Sequence, residues 1–209
     1  HTEHPMLSTL SILLLILPLL AAGVVALAPA RLAKWIATFA TIVVFAVSLA
    51  FAWGFPGWTD GSTAPSDMGV AVMPSLGISL TLGADAVGVM LILLTTFLMP
   101  IAMIGSFTAV KERVKEYYGW FMLLEASILL AFLSQNLITF YVGYEFTLVP
   151  MFCLISIWGG QERRTAAIKF FLFTFLGSIF TLAAGIYVAS RAADATGAWD
   201  FSIAALTKF

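Results

Sequence analysis

Apolar residues fall in six long blocks along the chain, separated by short segments that carry charge, glycine or proline. The blocks cover residues 7–27, 35–53, 86–110, 118–133, 137–158 and 166–189. A helix that crosses about 30 Å of hydrocarbon needs roughly 20 apolar residues, and every block meets or approaches that length. Six transmembrane helices are predicted. The first block has the position of a secretory signal. No Lys or Arg precedes it, however, its run exceeds the roughly 7–15 residues of a signal core, and a second block follows at once. It is expected to remain as a helix. Residues 1–5 precede Met6 and are expected to be an upstream extension, with one transmembrane domain over residues 6–209.

The segment between the second and third blocks, residues 54–83, is longer than the other connections and carries Pro56, Pro65 and Pro74. Its alternating Ile78, Leu80 and Leu82 suit a short strand on the membrane surface; an irregular loop is the other reading. Eight of the ten Lys and Arg residues follow the first, third and fifth blocks: Arg31 and Lys34, then Lys111, Arg113 and Lys115, then Arg163, Arg164 and Lys169. The other side holds Arg191 and Lys208, with Glu3, Asp60, Asp67, Asp194 and Asp200. Cytoplasmic loops are enriched in Lys and Arg, so both termini and the long loop are expected outside. Trp35, Trp53, Trp120 and Trp158 near block ends suit interfacial anchoring.

Composition agrees with this pattern. The chain is 61% hydrophobic and 10% charged, against about 25% charge in a soluble domain, with a mean hydropathy of +1.03. A water-soluble domain is excluded. The single cysteine, Cys153, excludes an internal disulfide or a cysteine metal cluster, and the only histidines, His1 and His4, lie in the tail. The net charge of -1 speaks against a nucleic-acid partner. No phosphate loop, dinucleotide fingerprint or metal-ligand spacing is found, so no cofactor is expected on this chain.

An ionisable side chain inside a span costs about 2.5–3.5 kcal/mol on insertion scales and asks for an explanation. Glu125 lies nine residues before Ser134, and Glu145 nine residues after Asn136. If the hairpin folds at Gln135, each lies about 13 Å below the turn. At equal depth on neighbouring helices the two carboxyl groups can face each other or bracket a small water pocket, depending on helix rotation. Such a pair titrates as a coupled unit, and a group that gains and loses a proton is what a membrane relay needs. Glu145 is the leading relay candidate and Glu125 its candidate partner; alternatively Glu125 is a neutral acid hydrogen-bonded to a neighbouring helix. Pro150 removes one backbone bond and frees the Phe146 carbonyl. That carbonyl calls for water near Glu145, or Pro150 only kinks the helix. Lys169, about 7 Å inward from Arg164, either snorkels to the surface or serves as a relay group on the cytoplasmic side. Asp85 stands at the mouth of the third span.

The run Phe140-Tyr-Val-Gly-Tyr-Glu145-Phe-Thr-Leu-Val-Pro150-Met, with Ile157-Trp-Gly-Gly160, resembles the fifth-helix signature of chain M of proton-pumping NADH-quinone oxidoreductases, counterpart of mitochondrial complex I subunit 4. Arg164, Ala167, Lys169–Thr174 and Gly177-Ser178 are similar to that family's sixth helix, and Leu82-Gly-Ala-Asp85 to its entry into helix three. Ala86 departs from the family, where glycine more often follows the acid. The resemblance covers essentially Met6 to Phe209. It implies an all-α transmembrane fold, the six-helix N-terminal portion of an antiporter-like membrane subunit, with Glu145 as the glutamate of its proton channel. Such proteins have about fourteen helices with two inverted five-helix repeats. This chain is therefore expected to be incomplete at its C-terminus, lacking the broken helix that carries the lysine partner of the glutamate.

The resemblance further implies a membrane-arm, proton-translocating subunit in the cytoplasmic (inner) membrane of a bacterium. Its partners would be other membrane-arm subunits, lipids and protons. NADH, flavin, iron-sulfur clusters and quinone would be bound by other subunits. A subunit of a multi-subunit cation/proton antiporter is the second reading, and a structural bundle with satisfied, inert acids the third.

Overall fold

The computed structural model of the chain describes residues 5–60, 64–65, 70–73, 78–197 and 199–207. Of the extension expected over residues 1–5, residues 1–4 fall outside the described residues, as do Asp67, Pro74 and Lys208, whereas Pro5 is the first residue of a helix. Among the described residues, six helices are long and apolar enough to cross a membrane. They are α1 (Pro5–Leu27), α2 (Ala30–Trp53), α4 (Ala86–Gly105), α5 (Val114–Leu133), α6 (Leu137–Trp158) and α7 (Arg163–Thr196), with short helices α3 (Gly57–Asp60) and α8 (Ile203–Leu206) at the ends of spans. The architecture is all-α across the bilayer, with small strands on one surface.

Several helix ends differ from the apolar blocks, each for a local reason. Helix α2 starts at Ala30, five residues before its block, directly after the extended Pro29, and carries the charged Arg31 and Lys34 in its first turns. Helix α4 stops at Gly105 rather than 110. Ser106 ends it: the Ser106 hydroxyl donates to the Met103 carbonyl at 2.7 Å and pairs with the Tyr118 hydroxyl at 2.9 Å. The apolar residue that follows, Phe107, packs edge-on against Trp35 at a centroid distance of 5.2 Å. Helix α5 starts at Val114. Helix α7 has 34 residues and ends on Gly197, whose φ of 80° is the left-handed C-cap conformation that glycine adopts without a steric penalty. At 1.5 Å per residue it is about 50 Å long, so its charged ends extend beyond the hydrocarbon.

Helix α5 is the centre of the bundle and packs on α1, α2, α4 and α6, while α7 packs along α6. Two apolar clusters form the core. Leu129 and Leu133 of α5 join Leu7, Leu14, Val44, Phe51 and Ile92 at one end. Tyr118 and Met122 of α5 join Ala21, Val25, Ala33, Ala37 and Met103 at the other.

Among its described residues the long loop contributes four strands: β1 (Ala64–Pro65), β2 (Val70–Met73), β3 (Ile78–Leu80) and β4 (Gly83–Ala84). β1 pairs antiparallel with β4, and β2 with β3. The alternating Ile78 and Leu80 are thus in a strand, as one of the two readings of the loop had it. The α5–α6 hairpin is clasped between two segments. Gln135 N–H donates to the Thr81 carbonyl at 2.9 Å, while Leu137 N–H donates to Phe201 and Ile203 N–H to Gln135, at 2.8 and 3.0 Å. Leu82 bridges to Ser134 and Asn136 to Ser202, both antiparallel. The loop, the hairpin and the C-terminal segment therefore close one end of the bundle, here the hairpin end. The opposite, basic end carries the α4–α5 and α6–α7 turns.

Candidate functional site

Asn136 starts α6, its side chain accepting from Ile138 N–H at 3.1 Å, and Glu145 follows nine residues on. Each residue turns an α-helix by about 100°. Gly143 faces α5, since a Cβ there would lie 2.8 Å from the Ala131 backbone nitrogen and 3.2 Å from Leu130 Cγ. Glu145, two residues on, is about 200° round and so points away from α5. That side belongs to α7. Phe152, two turns along the same side, packs edge-on against Phe171 of α7 at 5.8 Å. Glu145 is half-buried in this seam. Its Oε1 is enclosed and has no hydrogen-bond partner among the described residues.

Two cavities flank the seam. One of about 240 Å³ is lined by Glu145, Phe146 and Val149 of α6 and by Phe171 and Phe175 of α7. The other, about 390 Å³, is lined by residues that include Tyr141 and Tyr144 on α6 and Thr174, Ser178 and Thr181 on α7. Tyr141 and Tyr144 entered the sequence reading only as part of the fifth-helix signature, and Thr181 not at all, because one hydroxyl in an apolar helix is unremarkable until a partner helix faces it. Pro150 is buried and lies on the α5 side with Gly143, since seven residues make nearly two whole turns. Helix α6 continues through it to Trp158.

The helix rotations separate the other two candidates from Glu145. Glu125 is fully buried. It shares a stripe of α5 with Met122 and Leu129, one in each core cluster, and so faces α1, α2 and α4. Leu130 and Ala131, which meet α6, are about 120–140° away on either side. The two acids therefore do not face each other or share a pocket. Nor are they level. Gly143 lies abreast of Ala131, so Glu145 is abreast of about residue 129, four residues or about 6 Å nearer the hairpin end than Glu125. The symmetric hairpin fails because the clasp around residues 134–136 staggers the two helices. Both carboxyl oxygens of Glu125 are enclosed without a hydrogen-bond partner among the described residues, unlike the satisfied acid of the third reading. Lys169 is exposed. It stands about 160° round α7 from Phe171, turned away from α6 and Glu145.

The arrangement is that of an antiporter-like membrane subunit. The chain superposes on respiratory complex I from Thermus thermophilus with a TM-score of 0.76 at 20% identity, covering 94% of this chain and 38% of that one. On the Mrp complex from Dietzia sp. DQ12-45-1b the TM-score is 0.72 at 22% identity, covering 90% and 20%. Residues 68–139 match the family described as NADH-ubiquinone oxidoreductase chain 4, amino terminus. Residues 134–206 match the family described as NADH:quinone oxidoreductase/Mrp antiporter, TM. NADH-quinone oxidoreductase subunit M of Rhodobacter capsulatus is 43% identical over 175 residues, which is 80% of this chain and 33% of that protein. NADH-ubiquinone oxidoreductase chain 4 of Marchantia polymorpha is 34% identical over 211 residues, 98% of this chain and 41% of that one. The chain belongs to the NADH-quinone oxidoreductase subunit M (chain 4) family and matches its N-terminal portion. It spans a third to two-fifths of the length of these two relatives.

Proposed function

We propose that the chain is the N-terminal part of a proton-translocating membrane-arm subunit of a respiratory NADH:quinone oxidoreductase, and that Glu145 is the carboxyl group that takes up and releases the proton. The observation that carries this reading is the enclosed, unpartnered Oε1 of Glu145 in the α6–α7 seam. An unpaired polar group in hydrocarbon is costly, and it is tolerated where it has work to do. Water entering the cavity beside Phe146 and Val149 would pair with this oxygen. The cavity on the other flank is lined towards the hairpin end by Tyr141, Tyr144 and Thr174, and by Ser178 and Thr181, whose hydroxyls already donate to the Phe175 and Gly177 carbonyls and offer acceptors. Glu125 and Lys169, on other faces, lie outside this exchange within the chain.

NADH oxidation and quinone reduction, with their flavin and iron-sulfur clusters, belong to other subunits and would drive the exchange by changing the conformation or field around α6 and α7. The subunit would sit in the cytoplasmic membrane of a bacterium, N-terminus outside, against other membrane-arm subunits. Glu145→Gln in the assembled complex tests the reading: proton translocation should fall by at least about tenfold. Unchanged translocation and quinone reduction at normal assembly would remove Glu145 from the path.

The similarity to the Mrp complex favours a second reading, a subunit of a cation/proton antiporter. Purification under mild conditions separates the two. Co-purifying NADH- and quinone-binding subunits support the first, and cation-driven proton exchange without them the second.

A further inference from the structure

Two of the three basic loops, expected only to orient the helices, meet in space. A cavity of about 460 Å³ opens at the basic end between the α4–α5 turn, which contributes Lys111, Glu112 and Arg113, and the α6–α7 turn, which contributes Trp158, Arg163 and Arg164. The turns are tied together. Trp158 Nε1 donates to the Glu112 carbonyl at 3.0 Å, and the Trp158 ring packs edge-on against Tyr117 at 5.2 Å. Arg163 folds back over the end of α6, Nη1 donating to the Ile157 carbonyl at 2.7 Å. Gly159 permits this fold: a Cβ there would lie 2.9 Å from the Arg163 Cβ. The Trp-Gly-Gly run, which the proton path does not use, thus shapes this wall.

The charges do not cancel. Arg113 is committed to Glu116 through Nε and Nη2, with its backbone held at φ 50°, the one non-glycine residue with a positive φ among those described. Lys111, Arg163 and Arg164 have no carboxylate partner among the described residues, and Glu112 is the sole acid in the wall. Helix α7 begins here without a side-chain cap; Arg163 N–H donates to the Gly160 carbonyl at 3.3 Å, and the positive end of the helix dipole adds to the potential. The level is that of the lipid headgroups, because the apolar run of α6 ends at Trp158, an interfacial residue type. Ile157 and Trp158 give the cavity an apolar side.

We propose that this cavity binds the phosphate of an anionic phospholipid headgroup, with Lys111, Arg163 and Arg164 as its donors. Arginine forks match phosphate oxygens in geometry, and basic pockets between membrane helices on the cytoplasmic side hold anionic headgroups. The site is independent of the proton path, and its test does not read activity.

The full-length protein in its complex is purified, stripped of lipid by detergent and titrated with phosphatidylglycerol, phosphatidylcholine or inorganic phosphate, adducts being counted by native mass spectrometry. Phosphatidylglycerol should add one tight adduct that phosphatidylcholine does not match. In Arg163→Gln/Arg164→Gln its affinity should fall at least about tenfold, the loss expected when charge-assisted bonds are removed. Arg163→Lys/Arg164→Lys, which keeps the charge, should retain part of it and reports on folding. Arg31→Gln, a basic-end control outside the cavity, should change nothing. Equal binding of both lipids, or undiminished phosphatidylglycerol binding in the double Gln variant, would overturn the proposal. So would tight binding of inorganic phosphate without lipid, or a zero-length cross-link from Lys111 to a carboxylate of a neighbouring subunit.

Discussion

Glu125 and Glu145 stand on opposite sides of the α5–α6 pair, with the Gly143–Ala131 contact between them. Packed helix axes lie about 8–10 Å apart, and each acid points outward from its own helix, so the carboxyl groups are farther apart than the axes. Groups so separated act independently. Glu145→Asp, which keeps the acid but retracts it by one methylene, should slow proton translocation, and Glu125→Gln should multiply that rate by the same factor in either background. A double-mutant cycle on translocation rates is expected to give a coupling below about 0.5 kcal/mol. A larger value would place the two acids on one path.

The contact that separates them depends on a missing side chain. A Cβ at Gly143 would come within 2.8 Å of the Ala131 backbone nitrogen, which cannot yield as a flexible side chain can. Gly143→Ala should therefore cost about 1–3 kcal/mol by overpacking. Gly119 of α5 is the matched control. No atom lies within 4 Å of a Cβ built there, so Gly119→Ala should be neutral or gain up to about 1 kcal/mol from helix propensity. Thermal unfolding of the detergent-solubilised protein compares the two. Equal effects would mean that α5 and α6 are not in backbone contact at Gly143.

The spans were legible because hydrocarbon thickness imposes a length on any apolar helix, whatever its neighbours. The ends were less so: hydropathy counts Phe107 as lipid-embedded, whereas it packs on Trp35 in a turn, and it drops Arg31 and Lys34 although α2 carries them. The rotations were not legible at all. Helices that are apolar on every face have no polar side to mark the surface, so only packing decides that Glu125 faces the core and Glu145 faces α7. The depth arithmetic failed for a related reason, since the clasp on residues 134–136 is built by segments about 50–70 residues away in the chain.

Asp85 illustrates a motif residue with a structural duty. Its Oδ1 accepts from Gly88 N–H at 2.7 Å and so caps α4. Asp85→Ala should cost about 1 kcal/mol, and Asp85→Asn, an equally good cap, should cost little. Thermal unfolding reads the stability, and proton translocation by the Asn variant reads anything beyond it. A stable Asp85→Asn protein that fails to translocate would give this carboxylate a role in chemistry as well as in capping.

Glu125 offers the sharpest stability test. Both of its carboxyl oxygens are enclosed in the core without a partner among the described residues, and an unsatisfied buried polar group costs about 1–3 kcal/mol. Methionine has a similar length and no such need, so Glu125→Met should raise stability by about that amount. Glu125→Gln should gain nothing, because the amide brings two donors as well as an acceptor into the same apolar surroundings. Thermal unfolding of the two variants should rank Met above wild type. A loss of more than about 1 kcal/mol in the Met variant would mean that the acid is bonded, in the membrane, to water or to a neighbour outside this chain. If stability rises while proton translocation falls, the unsatisfied acid is retained for function at the expense of the fold. That outcome would give Glu125 a proton-handling role separate from the Glu145 seam.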